Sequence, residues 1–182
     1  MNNNQIKLDK IDLKLISVLQ KDPSLTHYQI AEIINRSQPT VGTRVRKLKE
    51  KGILQFQAGI NFKKIGIQLA IVNLNTKNPE EIVDMVNDCP FMLNAFRLSG
   101  TFNMSVLIAN TNLRKLNNVV DQHFRNNSNV QKIVIEFITD TVKNFILPID
   151  IDSELILPNL EDGCSSNCRY CEYNRIMRFK KS

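Results

Sequence analysis

The sequence predicts an α+β chain in two parts: a basic module of three helices, then a neutral body of β-α-β-β-α-β order. Three observations lead there. Positive charge is confined to the first third. Residues 1–64 hold twelve Lys/Arg against five Asp/Glu, residues 65–145 hold seven of each, and residues 146–182 hold five against six. Apolar residues over the first 52 positions recur with helical spacing, and from residue 67 β-branched runs alternate with two amphipathic stretches. At 182 residues, 42% hydrophobic and 23% charged, the chain can bury one large core or two small ones. "MNNNQIKLDK" lacks the apolar centre of a signal peptide, and no apolar run approaches the roughly 18 residues of a bilayer span. A cytoplasmic protein with no membrane partner is expected, with its thiols kept reduced.

The basic module reads as three helices. "LDKIDLKLISVLQKD" has Asp9 as N-cap and places Ile11, Leu15, Val18 and Leu19 on one face, with Pro23 in the turn that follows. "THYQIAEIIN" opens on Thr26 and turns Ile30, Ile33 and Ile34 inward. "SQPTVGTRVRKLKEKG" is capped by Ser37, tolerates Pro39 in its first turn and stops at Gly52. In it Val41, Val45 and Leu48 form a buried stripe at i, i+4, i+7. Gln38, Thr40, Thr43, Arg44 and Lys47 are left facing outward, flanked by Arg46, Lys49 and Lys51. Short hydrogen-bonding side chains near the helix start can reach base edges, and cations further along can meet phosphates. Two helices in tight succession, the second polar and basic outside, make a helix-turn-helix for double-stranded DNA. Ser37, Gln38, Thr40, Thr43, Arg44, Arg46 and Lys47 are its expected DNA-facing residues. The plainer reading, a helix of merely solvated lysines, is opposed by the short preceding helix and by the cap at Ser37.

"GILQFQAGINFKKIG" reads as a strand and a turn, with residues 53–66 a linker strand. In the body, "IQLAIVNLN" is a strand, and "NPEEIVDMVND" is a helix with Pro79 at its start and Ile82, Val83 and Val86 apolar. "FMLNAFRLSG" and "MSVLIAN" form a hairpin around "GTFN". "TNLRKLNNVVDQHFRNN" is a second helix with Leu113, Leu116, Val120 and Phe124 apolar, and "VQKIVIEFITDTV" closes as a strand. The order predicts a ferredoxin-like sandwich over residues 67–145, after a DNA-binding head over 1–52. Helices on one face of four strands leave the other face bare, so a second copy is expected to cover it.

A head of this kind followed by βαββαβ resembles the Lrp/AsnC (feast/famine) family of transcription regulators, over roughly residues 7–143. The marks are the Leu-Asp-x-x-Asp opening at residues 8–12, "QIAEIINRSQPTVGTRVRKLKEKGIL", and "FRLSGTFNMSV" where the family has an Arg-x-x-Gly-x-Tyr/Phe-Asp hairpin. The resemblance implies a homodimer that assembles further, and a body (a RAM-type domain) that binds a small-molecule effector near the hairpin turn. Gly100, Phe102 and Asn103 are the matching positions. Asn103 stands where the family has Asp, and an amide offers no carboxylate to an effector's ammonium group.

Residues 146–182 extend past the point where the family pattern ends, and carry "CSSNCRYC" with Cys164, Cys168 and Cys171. Three thiolates at this spacing can converge on one ion, and zinc prefers four ligands. Cys89 is the natural fourth candidate, with His27, His123 or a neighbouring subunit as alternatives. An iron–sulfur cluster is the second choice, and a thiol switch or an inert tail are the other readings. A regulator that responds to metal or redox state through these cysteines is one expectation. A sirohaem-decarboxylase-like enzyme of the same layout is set against it, but such a site needs histidines and arginines and the chain has two histidines. A DNA-compacting architectural protein is the third. The expectation is therefore a regulator and not an enzyme.

Overall fold

The computed structural model describes residues 7–147, and the chain divides after Gln57 into two units, each with its own core. The first unit is three helices: α1 (Lys10–Lys21), α2 (His27–Ile34) and α3 (Gln38–Glu50). Side chains fix each start. The Asp9 carboxylate accepts the backbone N–H of Ile11 and Asp12, and Thr26 accepts that of Gln29, each closing a capping box. Leu15, Leu19, Ile30, Ala31, Ile34, Val41, Val45, Leu48 and Leu54 make the core. Ile33, expected inside, is 59% exposed, and Ala31 takes its place. The buried face of α2 is set by residues 30, 31 and 34, and Ile33 lies about 100° round from its centre.

The stretch 53–66 is not one linker strand. Ile53 and Leu54 pack into the head core, and only Ile60–Asn61 (β1) is extended and paired, with Ile146–Leu147 (β6). Gly59 is required there. A Cβ at this position would stand 2.6 Å from Ile146 Cγ2 and 3.1 Å from the Leu147 carbonyl.

The second unit contains β2 (Gln68–Thr76), α4 (Pro79–Asp88), β3 (Met92–Arg97), β4 (Met104–Asn110), α5 (Leu113–Val120) and β5 (Val130–Ile138). The sheet is antiparallel in the order β3-β4-β2-β5. That is the ferredoxin-like arrangement. Register puts Ala70, Val72 and Leu74 beside Ile108, Val106 and Met104 on one face, where Ile82, Leu116, Val119 and Phe124 seal the core. A π-helical turn, Asp121–Arg125, prolongs α5 and keeps Phe124 fully buried. Leu113, expected on the apolar face, is the first residue of α5 and stands exposed, while Val119 is buried.

The opposite sheet face is only partly bare. The β1–β6 ribbon covers one end, where Phe62, Leu69 and Ala109 are buried against Ile67, Leu93, Ile138, Phe145 and Leu147. What stays open is mixed. Ile71 and Leu107 are half-buried, Phe96 and Val134 are exposed, and Asn73, Asn94, Ser105 and Glu136 lie among them. Among the described residues no helix is long and apolar enough to cross a membrane.

Candidate nucleic-acid interface

The turn between α2 and α3 is closed by backbone geometry. Asn35 adopts the left-handed conformation (φ 54°), its N–H and that of Arg36 returning to the last carbonyls of α2. Asn tolerates this conformation better than most residues and ends the helix in a Schellman-type cap. Ser37 then caps α3, its Oγ accepting the Thr40 N–H at 3.4 Å and pairing with Thr40 Oγ1 at 2.8 Å. Pro39 occupies the first turn, where its missing N–H costs nothing. Gly42 lets the two helices approach closely, since a Cβ there would meet the His27 ring at 3.3 Å. Val41, Val45 and Leu48 are the buried stripe that the spacing predicted.

The structure sorts the seven expected DNA-facing residues into two groups. Gln38, Thr43, Arg46 and Lys47 are exposed. Arg46 has only a loose partner, Glu50, at 3.9 Å with both side chains mostly in solvent, so that pair is worth little. Ser37 and Thr40 are engaged with each other in the cap. Arg44 is the clear correction. It lies on the flank of α3 that faces α1, and its Nη1 reaches Asp9 Oδ2 and Asp12 Oδ1, both at 2.7 Å. Arg44 is 28% exposed, Asp12 17% and Asp9 52%, so the Asp12 arm is partly buried and the Asp9 arm lies at the surface. The Asp12 backbone N–H, then the Arg44 guanidinium, hold Asp9 below the usual carboxylate range. Asp12 first and Asp9 second push Arg44 higher still.

Sequence reasoning treated Asp9 and Asp12 as a helix start and a family mark, and missed their second duty. The signal was two carboxylates three residues apart, but pairing them with Arg44 requires knowing which flank of α3 lies against α1. At the end of α3, Lys47 and Lys49 complement the helix dipole, and Lys49 stacks 4.6 Å over the Phe56 ring. Gly52 (φ +67°) then reverses the chain. No strand follows within residues 51–59.

The expected effector turn is differently placed. Asn103 Oδ1 accepts the Thr76 N–H at 3.0 Å, and its Nδ2 donates to the Thr76 carbonyl at 2.7 Å. Asn103, expected near an effector, is engaged here in clamping the hairpin to the end of β2, which holds one of its two N–H donors. An aspartate has no donor for the second bond. Phe102 lies 5.2 Å from the Lys132 ammonium, and among the described residues nothing lies within 4 Å of where a Gly100 Cβ would be.

Cys164, Cys168 and Cys171 lie outside the described residues. Cys89 is the C-cap of α4, 7% exposed in the body core near Phe91 and Met92. Its thiol is largely closed to solvent in this structure. Among the described residues no group of three His, Cys, Asp or Glu side chains could hold a metal.

A winged helix-turn-helix DNA-binding model matches residues 8–55, and an Lrp/AsnC ligand-binding domain model matches residues 68–146. The chain is 27% identical over 137 residues to PH0061, an HTH-type transcriptional regulator of Pyrococcus horikoshii, covering 71% of this chain and 93% of that protein. It is 28% identical over 121 residues to the HTH-type transcriptional regulator FL11 of the same organism, covering 64% and 80%. Its fold matches the regulator NMB0573 of Neisseria meningitidis, solved in complex with L-Met. There the TM-score is 0.68 at 22% identity, with 79% of this chain and 98% of that one covered.

Proposed function

The chain belongs to the Lrp/AsnC family of transcriptional regulators, and from that premise we propose that it acts as a homodimer setting two copies of α3 into successive major grooves. The site it fits is a roughly palindromic one, with half-sites about one helical turn apart. It is a DNA-binding regulator and not an enzyme, as its relatives are. The observation that carries the DNA-facing reading is the division along α3. One side is buried, the exposed start is polar and uncharged, and the exposed end is cationic. Binding of the purified full chain to its own upstream DNA across a salt series tests this. The logarithm of affinity should fall linearly with that of salt, by about 0.9 per phosphate contact, and should exceed that for random DNA. Salt-independent binding, or none, sinks the reading.

Three finer statements go with it. The open part of the sheet face, with Ile71, Leu107, Phe96 and Val134, is where a second copy fits, since apolar surface is worth about 25 cal/mol per Å² removed from water. Sedimentation of residues 58–182 should show a dimer. A small-molecule effector acts on the body, supported by the ligand-binding domain match and by the L-Met complex of NMB0573. Calorimetric titration with amino acids checks it, and the clamp at Asn103 directs attention away from that side chain. Zinc, with an iron–sulfur cluster as second choice, is supported by the spacing of Cys164, Cys168 and Cys171 alone, with Cys89, a histidine, solvent or another subunit as the fourth ligand. Metal in purified wild type and its loss in Cys168→Ser would support it, and metal-free wild type would end it. The working compartment is the cytoplasm, where DNA and reduced thiols coincide.

A further inference from the structure

We propose that α3 reads A·T base pairs, through Gln38 and Thr43, and contributes no guanine contact from its first two turns. This rests on the DNA-binding reading above and names what that interface recognises.

The residues of a recognition helix that meet base edges are those of its N-terminal part. Over residues 38–45, every side chain but two is buried, apolar or already held by a protein group. Val41 and Val45 are buried, Pro39 has no polar group, and Gly42 has no side chain and lies against His27. The Thr40 hydroxyl is bonded to Ser37, and the Arg44 guanidinium bridges Asp9 and Asp12. Gln38 and Thr43 remain, both exposed, and no side-chain hydrogen bond holds either within the described residues. Arg36, just before the helix, folds back to donate to the Asn35 carbonyl at 2.7 Å.

Base chemistry then decides. Guanine presents two acceptors, O6 and N7, and calls for a fork of donors such as Arg or Lys. Adenine presents an acceptor at N7 and a donor at N6, which a carboxamide with one donor and one acceptor matches. Thr43 adds a hydroxyl and a methyl group suited to the thymine methyl. Arg46, Lys47, Lys49 and Lys51 follow in the second half of the helix and just beyond it, where they meet phosphates that carry no base identity. The tie to α1 is therefore what sets specificity, because it withdraws the one guanidinium the first two turns possess.

Selection from randomised duplexes, run with the full chain as wild type, Gln38→Ala, Gln38→Arg and Arg46→Ala, tests this. Wild type should enrich sites with a specified A·T pair in each half-site. Gln38→Ala should lose about 5- to 150-fold discrimination at one symmetric position, and Gln38→Arg should shift that position to G·C. Arg46→Ala should weaken all sequences alike. All three replace exposed side chains, so matching thermal melts will exclude misfolding. Specified G·C pairs indifferent to Gln38, or relaxed by Arg46→Ala, overturn the proposal and leave DNA binding standing. Absence of any enrichment overturns the DNA-binding reading together with the proposal.

Discussion

Helix α3 and the β3–β4 hairpin make an instructive pair, because sequence pointed to ligand contacts in both and the fold claims polar side chains in both. In α3 the loss is partial. Arg44, Ser37 and Thr40 are tied to protein groups, yet Gln38, Thr43, Arg46 and Lys47 still face solvent. In the hairpin, Asn103, the residue expected to meet an effector, is already engaged. Asn103 bonds both backbone groups of Thr76, leaving Gly100 with no side chain and Phe102 beside Lys132. A polar residue at a motif position is free for binding only if the fold has not already used it.

The sharpest way to break the comparison is Asn103→Ala. It strands the N–H and carbonyl of Thr76, a residue 4% exposed, and should cost about 1–3 kcal/mol in urea unfolding of the body. Asn103→Asp should cost a similar amount, because it keeps the acceptor but sets a carboxylate against the Thr76 carbonyl. If either variant is as stable as wild type, the clamp is idle and Asn103 is available for other work.

Arg44→Ala is the matching cut in the head. It leaves Asp9 and Asp12 facing each other without their cation, and should lower the urea midpoint of the head. The salt slope of DNA binding should not change. A stable variant with a shallower slope would return Arg44 to the DNA face.

Lys47→Ala should behave in the opposite way. Stability should stay within about 0.5 kcal/mol, as for an ordinary surface change, while the salt slope falls by about one unit per copy. Together the two variants separate fold from interface within a single helix.

Much of this could be read in the sequence, for definable reasons. The stripe of Val41, Val45 and Leu48 is local periodicity, and so is the βαββαβ order, so both were legible. The duties of Arg44 and Asn103 were not, because each depends on a partner 32 to 35 and 27 residues away. Ile33 and Leu113 misled because an apolar residue near a helix face need not lie on it. The half-covered sheet depended on two-residue strands, too short to leave a pattern.

The smallest effect concerns acid. Asp9 has a lowered folded pKa, so its contribution to head stability is present above its unfolded value and is lost as pH falls through the folded one. The window therefore lies at and below the ordinary carboxylate range, and this group should leave the head's melting temperature flat from neutral pH to about pH 5. Arg44→Ala should shrink the acid loss without abolishing it. The largest cause of the shift is the Asp12 backbone N–H, which remains, and the guanidinium is second. Head melts recorded from pH 7 down to pH 2 in both forms check this. If the acid loss disappears entirely in the variant, Arg44 rather than the helix cap dominates Asp9. If it is unchanged, the 2.7 Å contact to Asp9 contributes nothing, and the polar tie between α1 and α3 runs through Asp12 alone.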